Sequence, residues 1–231
     1  MSALRKNIIF NLFGQTSVIL LGFISFKYIY AGLGDDALGI IYFSLMLSAL
    51  LTSALDMGLS KTTIREMAAH HDSEPGYIKK LTQTFSLFYL LAYLLVTLLF
   101  VLFLPVIVDN WINLTTMENE LAHYVLLLIG TTALLAIPKT FMSSICIGMQ
   151  RMDVNNSIDV SVALLQQLGL VLLLVAGKNI VVIAYWLAAT NILRVLTYFV
   201  FISRLLSPDA LFPWFSMDVV RRIKEYTSKM M

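Results

Sequence analysis

Residues 81–108 read LTQTFSLFYLLAYLLVTLLFVLFLPVIV, without a single Asp, Glu, Lys or Arg. A helix of that length outruns the roughly 30 Å hydrocarbon core of a bilayer, which about 20 apolar residues suffice to cross. The stretch sets the fold class as integral membrane and all-α. Working outward with the same ruler, further segments qualify at 8–30, 37–59, 121–147, 160–177 and 180–203. The sequence thus predicts six transmembrane helices forming one lobe over 1–206, followed by a linker and amphipathic helix over 207–231.

Composition agrees. Of 231 residues, 59% are hydrophobic and 13% charged, against about a quarter charged in soluble domains. A net charge of +2 provides no global field for nucleic acid. The lone Cys146 excludes an internal disulfide, and its apolar flanks make it a small hydrophobe rather than a reactive thiol. Arg5 and Lys6 ahead of an apolar run imitate a secretory signal. The uncharged run 7–26, however, is longer than a signal core of about 7 to 15 residues and is followed by no small-x-small cleavage site. It reads as the first span.

Turn residues divide the spans: Gly32, Gly34, Asp35 and Asp36 after the first, and Ser73, Glu74, Pro75 and Gly76 after the second. Of the 16 Lys and Arg, Lys27, Lys139 and Arg194 fall inside spans, Lys178 alone flanks one face, and the other twelve flank the opposite face. Basic loops stay in the cytoplasm, which places both termini there and Asp35, Asp36, Asp109, Glu118 and Glu120 on the far side. Pro208 and Pro213 mark a final break, with Ser216 as a candidate helix cap. Beyond it Val219, Ile223, Tyr226 and Met230 recur at helical spacing opposite Arg221, Arg222 and Lys224, the pattern of a basic helix lying on membrane lipid of the inner leaflet.

A Lys, Arg or Asp at mid-membrane costs about 2.5 to 3.5 kcal/mol on insertion scales, so such residues mark wet cavities and pathways. Arg194 lies ten residues from Arg204, about 15 Å along a helix. Lys139 follows Pro138, which removes a backbone hydrogen bond and bends the helix where the charge sits. Lys27 is close enough to a boundary to snorkel. These three cations are cavity candidates and suit a phosphate or carboxylate cargo. Asn11 and Gln15, four apart on one helix face, are candidate supporting groups, with Gln166, Gln167 and Asn191 deeper in. Asp56, near the inner end of its span with Lys61 and Arg65 following, reads as an interfacial ion pair, cap or gate, with Arg65 as its candidate partner.

His70, His71 and His123 have no partners at metal spacing, and neither a glycine-rich phosphate loop nor G-x-S-x-G occurs. The sequence therefore predicts no enzyme, no cofactor, no metal site and no nucleic-acid partner. Asn113-Leu114-Thr115 and Asn155-Asn156-Ser157 match the glycosylation pattern on opposite faces, so at least one match is accidental.

Four stretches carry a resemblance: NIIFNLFGQ (7–15), GLGDDALGIIY (32–42), LDMGLSKTTIRE (55–66) and GMQRMDVNN (148–156). Over nearly its whole length the chain resembles the N-terminal half of the oligosaccharide flippases of the polysaccharide transporter family. This family includes the O-antigen translocases and belongs to the multidrug/oligosaccharidyl-lipid/polysaccharide exporter superfamily. The resemblance implies one lobe of a two-lobed carrier in the bacterial inner membrane that moves undecaprenyl-pyrophosphate-linked oligosaccharide for O-antigen, lipopolysaccharide or other surface polysaccharide. It implies a cationic lumen to which Lys27, Lys139 and Arg194 contribute. It also implies a second lobe or self-association as partner, and a truncated chain inactive alone. Two other readings stand beside it. Half of a cation-coupled multidrug exporter would want deep carboxylates, which only Asp56 approaches, and a six-helix membrane scaffold or assembly protein would use the intramembrane charges for folding alone.

Overall fold

The computed structural model of the chain describes residues 3–56 and 58–222, with side chains from residue 13 on. The described residues form no strand. The helices are α1 (Ala3–Asp56), α2 (Leu59–His70), α3 (Pro75–Trp111), α4 (Asn119–Ala133), α5 (Ala136–Gly148), α6 (Met152–Val175) and α7 (Ile180–Leu206), followed by a 3-10 turn at Pro208–Ala210. Counting α4 and α5 together, five of these units are long and apolar enough to cross a membrane.

The first of them makes two crossings. Gly34 has φ 82° and ψ −176°, a backbone open to glycine and strained for other residues, and there α1 bends into arms 3–33 and 35–56. The arms run in opposite directions. On the first arm Gly14 packs on Val160, and the Ser25 hydroxyl donates to Gln167 Oε1 at 2.6 Å, so that arm runs parallel to α6. On the second arm Asp36 meets the 115–117 loop beyond α3 while Asp56 meets Tyr89 well down α3, so that arm is antiparallel to α3. The same reasoning places α5 antiparallel to α6, through Lys139–Asp159 and Ser143–Asn155, and α7 antiparallel to α6, through Trp186–Gln166 and Tyr198–Asn155. Six passes result. The bend at Gly34 and the 112–118 loop share one end of the bundle; α2, the α5–α6 turn and the segment after α7 share the other, which gathers the basic loops.

Packing follows from helical periodicity. Leu81, Phe85, Tyr89, Val96, Phe100, Leu104 and Val108 form the buried stripe of α3, whereas Leu91, Leu94, Leu95, Leu98 and Leu102 are exposed on its other side as a lipid-facing surface. Because lipid tails are as apolar as Leu, close approach rather than hydrophobicity holds such helices together. At Gly148 a Cβ would come within 2.5 Å of Met67 Cβ, so only glycine lets α2 lie against the end of α5.

The boundaries differ from the sequence expectation in three places. The loop expected after the second span is largely helix: Gly58 takes a left-handed φ of 82° to turn the chain into α2, and α3 starts at Pro75, where a missing N–H costs nothing. α6 begins at Met152 rather than 160: its polar first turns bury Asn155 against the bundle and leave Met152, Asp153 and Ser157 exposed at the basic end. The stretch 217–222 is helical, but Val219, expected to face the leaflet, is buried in the protein core. It is held there as Arg222 grips Glu74 with both terminal nitrogens (2.7 and 2.9 Å) and lies 4.0 Å over the Tyr77 ring. Ile223, Lys224, Tyr226 and Met230 of the expected amphipathic face lie outside the described residues.

A polar crevice at the break between α4 and α5

Pro138 has no N–H to offer the Leu134 carbonyl, and its ring crowds that oxygen. The helix gives way there: Ile137 N–H donates to Leu134 O (3.0 Å) instead of Ala133 O. The Ala133 carbonyl is thereby released, and the Ser48 hydroxyl on the second arm of α1 donates to it at 2.7 Å. Bent helices at membrane depth open space that straight ones fill. Here the space is a crevice of about 210 Å³ whose lining includes Ser48, Lys139, Thr140, Asn191 and Arg194. A wider groove of about 590 Å³ shares Ala136 and Thr140 with it and continues through Thr52, Ser53 and Asp56 to Ser60 and Lys61 at the basic end.

The two strongest sequence candidates therefore share one crevice. Arg194, about 18 Å from the end of α7 by helical rise, donates one terminal nitrogen to Gln166 Oε1 at 3.1 Å. Its Nε is buried with no hydrogen-bond partner. Lys139 Nζ donates to Asp159 Oδ2 at 2.8 Å and lies 5.6 Å from the centre of the Tyr198 ring. The pair is only partly buried, the side chains being 23% and 34% exposed. Tyr198 is fixed in turn by donating to Asn155 Oδ1 at 2.9 Å, the same oxygen that accepts from Ser143 at 2.6 Å. Lys139 and Arg194 against Asp159 leave one positive charge in excess beside hydroxyl and amide groups, an arrangement able to bind an oxyanion.

The remaining candidates lie elsewhere. Lys27 and Gln15 are exposed on the first arm of α1 and do not line the crevice; the side chain of Asn11 lies outside the described residues. Gln167 accepts from Ser25 and ties that arm to α6, so it acts as helix glue. The ion pair expected between Asp56 and Arg65 is not formed. Asp56 accepts from Ser60 N–H (3.2 Å), Ser60 Oγ (2.7 Å) and Tyr89 OH (2.9 Å), capping the first turn of α2, while Arg65 forks onto its neighbour Glu66. Arg65 is thereby turned to the α2–α3 elbow, where Tyr77 OH also donates to Glu66 (2.9 Å).

Asp159, Asn155 and Tyr198 were not foreseen. The signal was present: Asn155, Asp159 and Gln166 are spaced by four and seven residues, a polar stripe on one helix face. It was hidden because a carboxylate at a span boundary reads as loop.

The fold and crevice define an all-α, multi-pass membrane protein with a charged site between its helices. The chain belongs to the polysaccharide biosynthesis protein family, whose family model matches residues 4–226, consistent with a polysaccharide transporter or flippase. No curated protein and no solved structure gives a significant match.

Proposed function

We propose that the six-helix bundle forms one lobe of a flippase that carries undecaprenyl-pyrophosphate-linked oligosaccharide across the bacterial inner membrane, for O-antigen or another surface polysaccharide. In this reading both termini are cytoplasmic and the basic end of the groove receives the cargo's phosphates. A second lobe or second copy closes the path, and the chain catalyses no covalent chemistry. The observation that carries the reading is the buried, partnerless Nε of Arg194 beside Lys139 in one crevice. A buried donor left unpaired costs about 1 to 3 kcal/mol, a cost lifted when a phosphate in the crevice draws the guanidinium out to meet it. The multidrug alternative needs a deep free carboxylate, whereas Asp56 is engaged by Ser60 and Tyr89 and Asp159 by Lys139.

The test compares wild type, Arg194→Gln and Arg194→Lys in lipid vesicles, reading binding and inward-to-outward movement of a polyprenyl-pyrophosphate sugar together with protein abundance. Arg194→Gln is expected to lower both binding and movement at least tenfold at unchanged abundance, since a charge-assisted hydrogen bond contributes about 1.5 to 3 kcal/mol. Arg194→Lys is expected to recover them partly, because it keeps the charge without the planar fork. Unchanged binding and flux in Arg194→Gln would refute the assignment.

A further inference from the structure

We infer that Asp159 is a displaceable counter-ion: it holds the Lys139 ammonium at the crevice while no anion is bound, and gives it up to a phosphate-type oxyanion on the way to Arg194. The inference rests on the proposed anion path and specifies how that path is kept charged and ready.

Three features separate this pair from a purely structural one. Lys139 lines the crevice and Asp159 does not, so the carboxylate holds the ammonium from the α6 side and leaves it facing the space an anion would enter. The bridge is partly open, and an incoming anion reaches Nζ without any helix having to separate. The Tyr198 ring provides a second, weaker partner at 5.6 Å, and its hydroxyl is anchored to Asn155, so the ammonium keeps one contact while it changes carboxylate for phosphate. Arg194 makes the contrast: its hydrogen-bond partner is a neutral amide, Gln166, with no carboxylate in salt-bridge range among the described residues. By helical rise Lys139 sits about 14 Å and Arg194 about 18 Å from the basic ends of their helices. An anion entering from the basic end therefore meets the guarded cation first and the unguarded one second. Such a guard lowers affinity at the entry site and so favours passage over trapping.

The experiment uses the whole chain in neutral-lipid nanodiscs at fixed ionic strength, with inorganic pyrophosphate as the probe and thermal melting followed in parallel. Wild type is expected to bind. Asp159→Asn is expected to bind about tenfold more tightly, because removing the competing charge leaves Lys139 free for the anion, and Asp159→Glu should bind like wild type. In a Lys139→Gln background, which itself binds more weakly, Asp159→Asn should add nothing, since the two residues act as one coupled unit. A merely structural bridge predicts the reverse for Asp159→Asn, namely weaker or unchanged binding. Either result, or a variant that does not accumulate at all, overturns the proposal while wild-type binding keeps the anion path standing. Absence of pyrophosphate binding in wild type and Asp159→Asn alike defeats the anion path itself, and the counter-ion role falls with it.

Discussion

Two charged sites at different depths of this bundle have opposite characters. At the acidic end Asp36, 5% exposed, accepts from the N–H and hydroxyl of Thr115, the N–H and hydroxyl of Thr116 and the N–H of Met117. Five donors from three consecutive residues fill a carboxylate's acceptor capacity. In the crevice Arg194 has one acceptor, Gln166 Oε1, among the described residues and a buried Nε with none. Both are charges placed where charge is expensive, but the first is saturated by the protein and the second is not. A saturated charge locks structure, here the bend of α1 onto the α3–α4 loop. An unsaturated one stores an unmet interaction that a ligand can complete.

Breaking the saturated site should have the largest effect. Asp36→Ala strands three loop N–H groups at a buried position and is expected to cost about 3 kcal/mol or more, read as loss of protein from the membrane and a lower melting point in detergent. Asp36→Asn, which keeps one acceptor oxygen, should fall between. A stable Asp36→Ala would remove the contrast with Arg194, whose Gln variant should melt no lower than wild type because it removes an unpaired buried donor.

A smaller effect is expected at the helix break. Ser48→Ala uncovers the released Ala133 carbonyl and should cost about 1 kcal/mol. Restoring the α4–α5 backbone bond with Pro138→Ala should make Ser48→Ala nearly silent. An equal cost for Ser48→Ala in both backgrounds would mean that the hydroxyl does not answer the proline.

The smallest effect concerns the basic end. The Arg222 fork holds Glu74 below the usual carboxylate value, its side-chain hydrogen bonds outweighing partial desolvation. A carboxylate with a lowered folded-state pKa contributes its stability above the unfolded pKa and loses it as pH falls through the folded value. Docking of 217–222 should therefore hold at neutral pH and loosen below the normal Glu range. A spin label at Met217→Cys should gain mobility on acidification, and Glu74→Gln should show that mobility already at pH 7. A label whose mobility ignores both changes would show that Val219 burial alone holds the segment.

The stretches that carry the family resemblance lie at the joints of the bundle more than in its crevice. Residues 32–42 contain the Gly34 bend and Asp36; 55–66 contain the Asp56 cap and the Gly58 turn; 148–156 contain Gly148 under Met67 and the Asn155 anchor of Tyr198. Short motifs record local backbone demands, such as a positive φ or a close approach, which a few adjacent residues can meet. A crevice assembled from α1, α5 and α7 leaves only scattered letters.

What the sequence determined by itself were the quantities that add up along the chain: uncharged runs long enough to cross a bilayer, twelve cations on one set of loops, and Pro138 beside Lys139. Hydropathy and loop charge are sums over neighbours, so they survive without a fold. Tertiary structure alone decided which charges meet. It made Asp36 rather than Asp35 the clasp and paired Lys139 with Asp159, 20 residues on, leaving Lys27 outside. It also sent Asp56 to Tyr89, 33 residues away, instead of to Arg65. Helices crossing at fixed heights bring together side chains with no sequence relation to each other, and whether a charge is saturated there depends on the partner helix, not on its own.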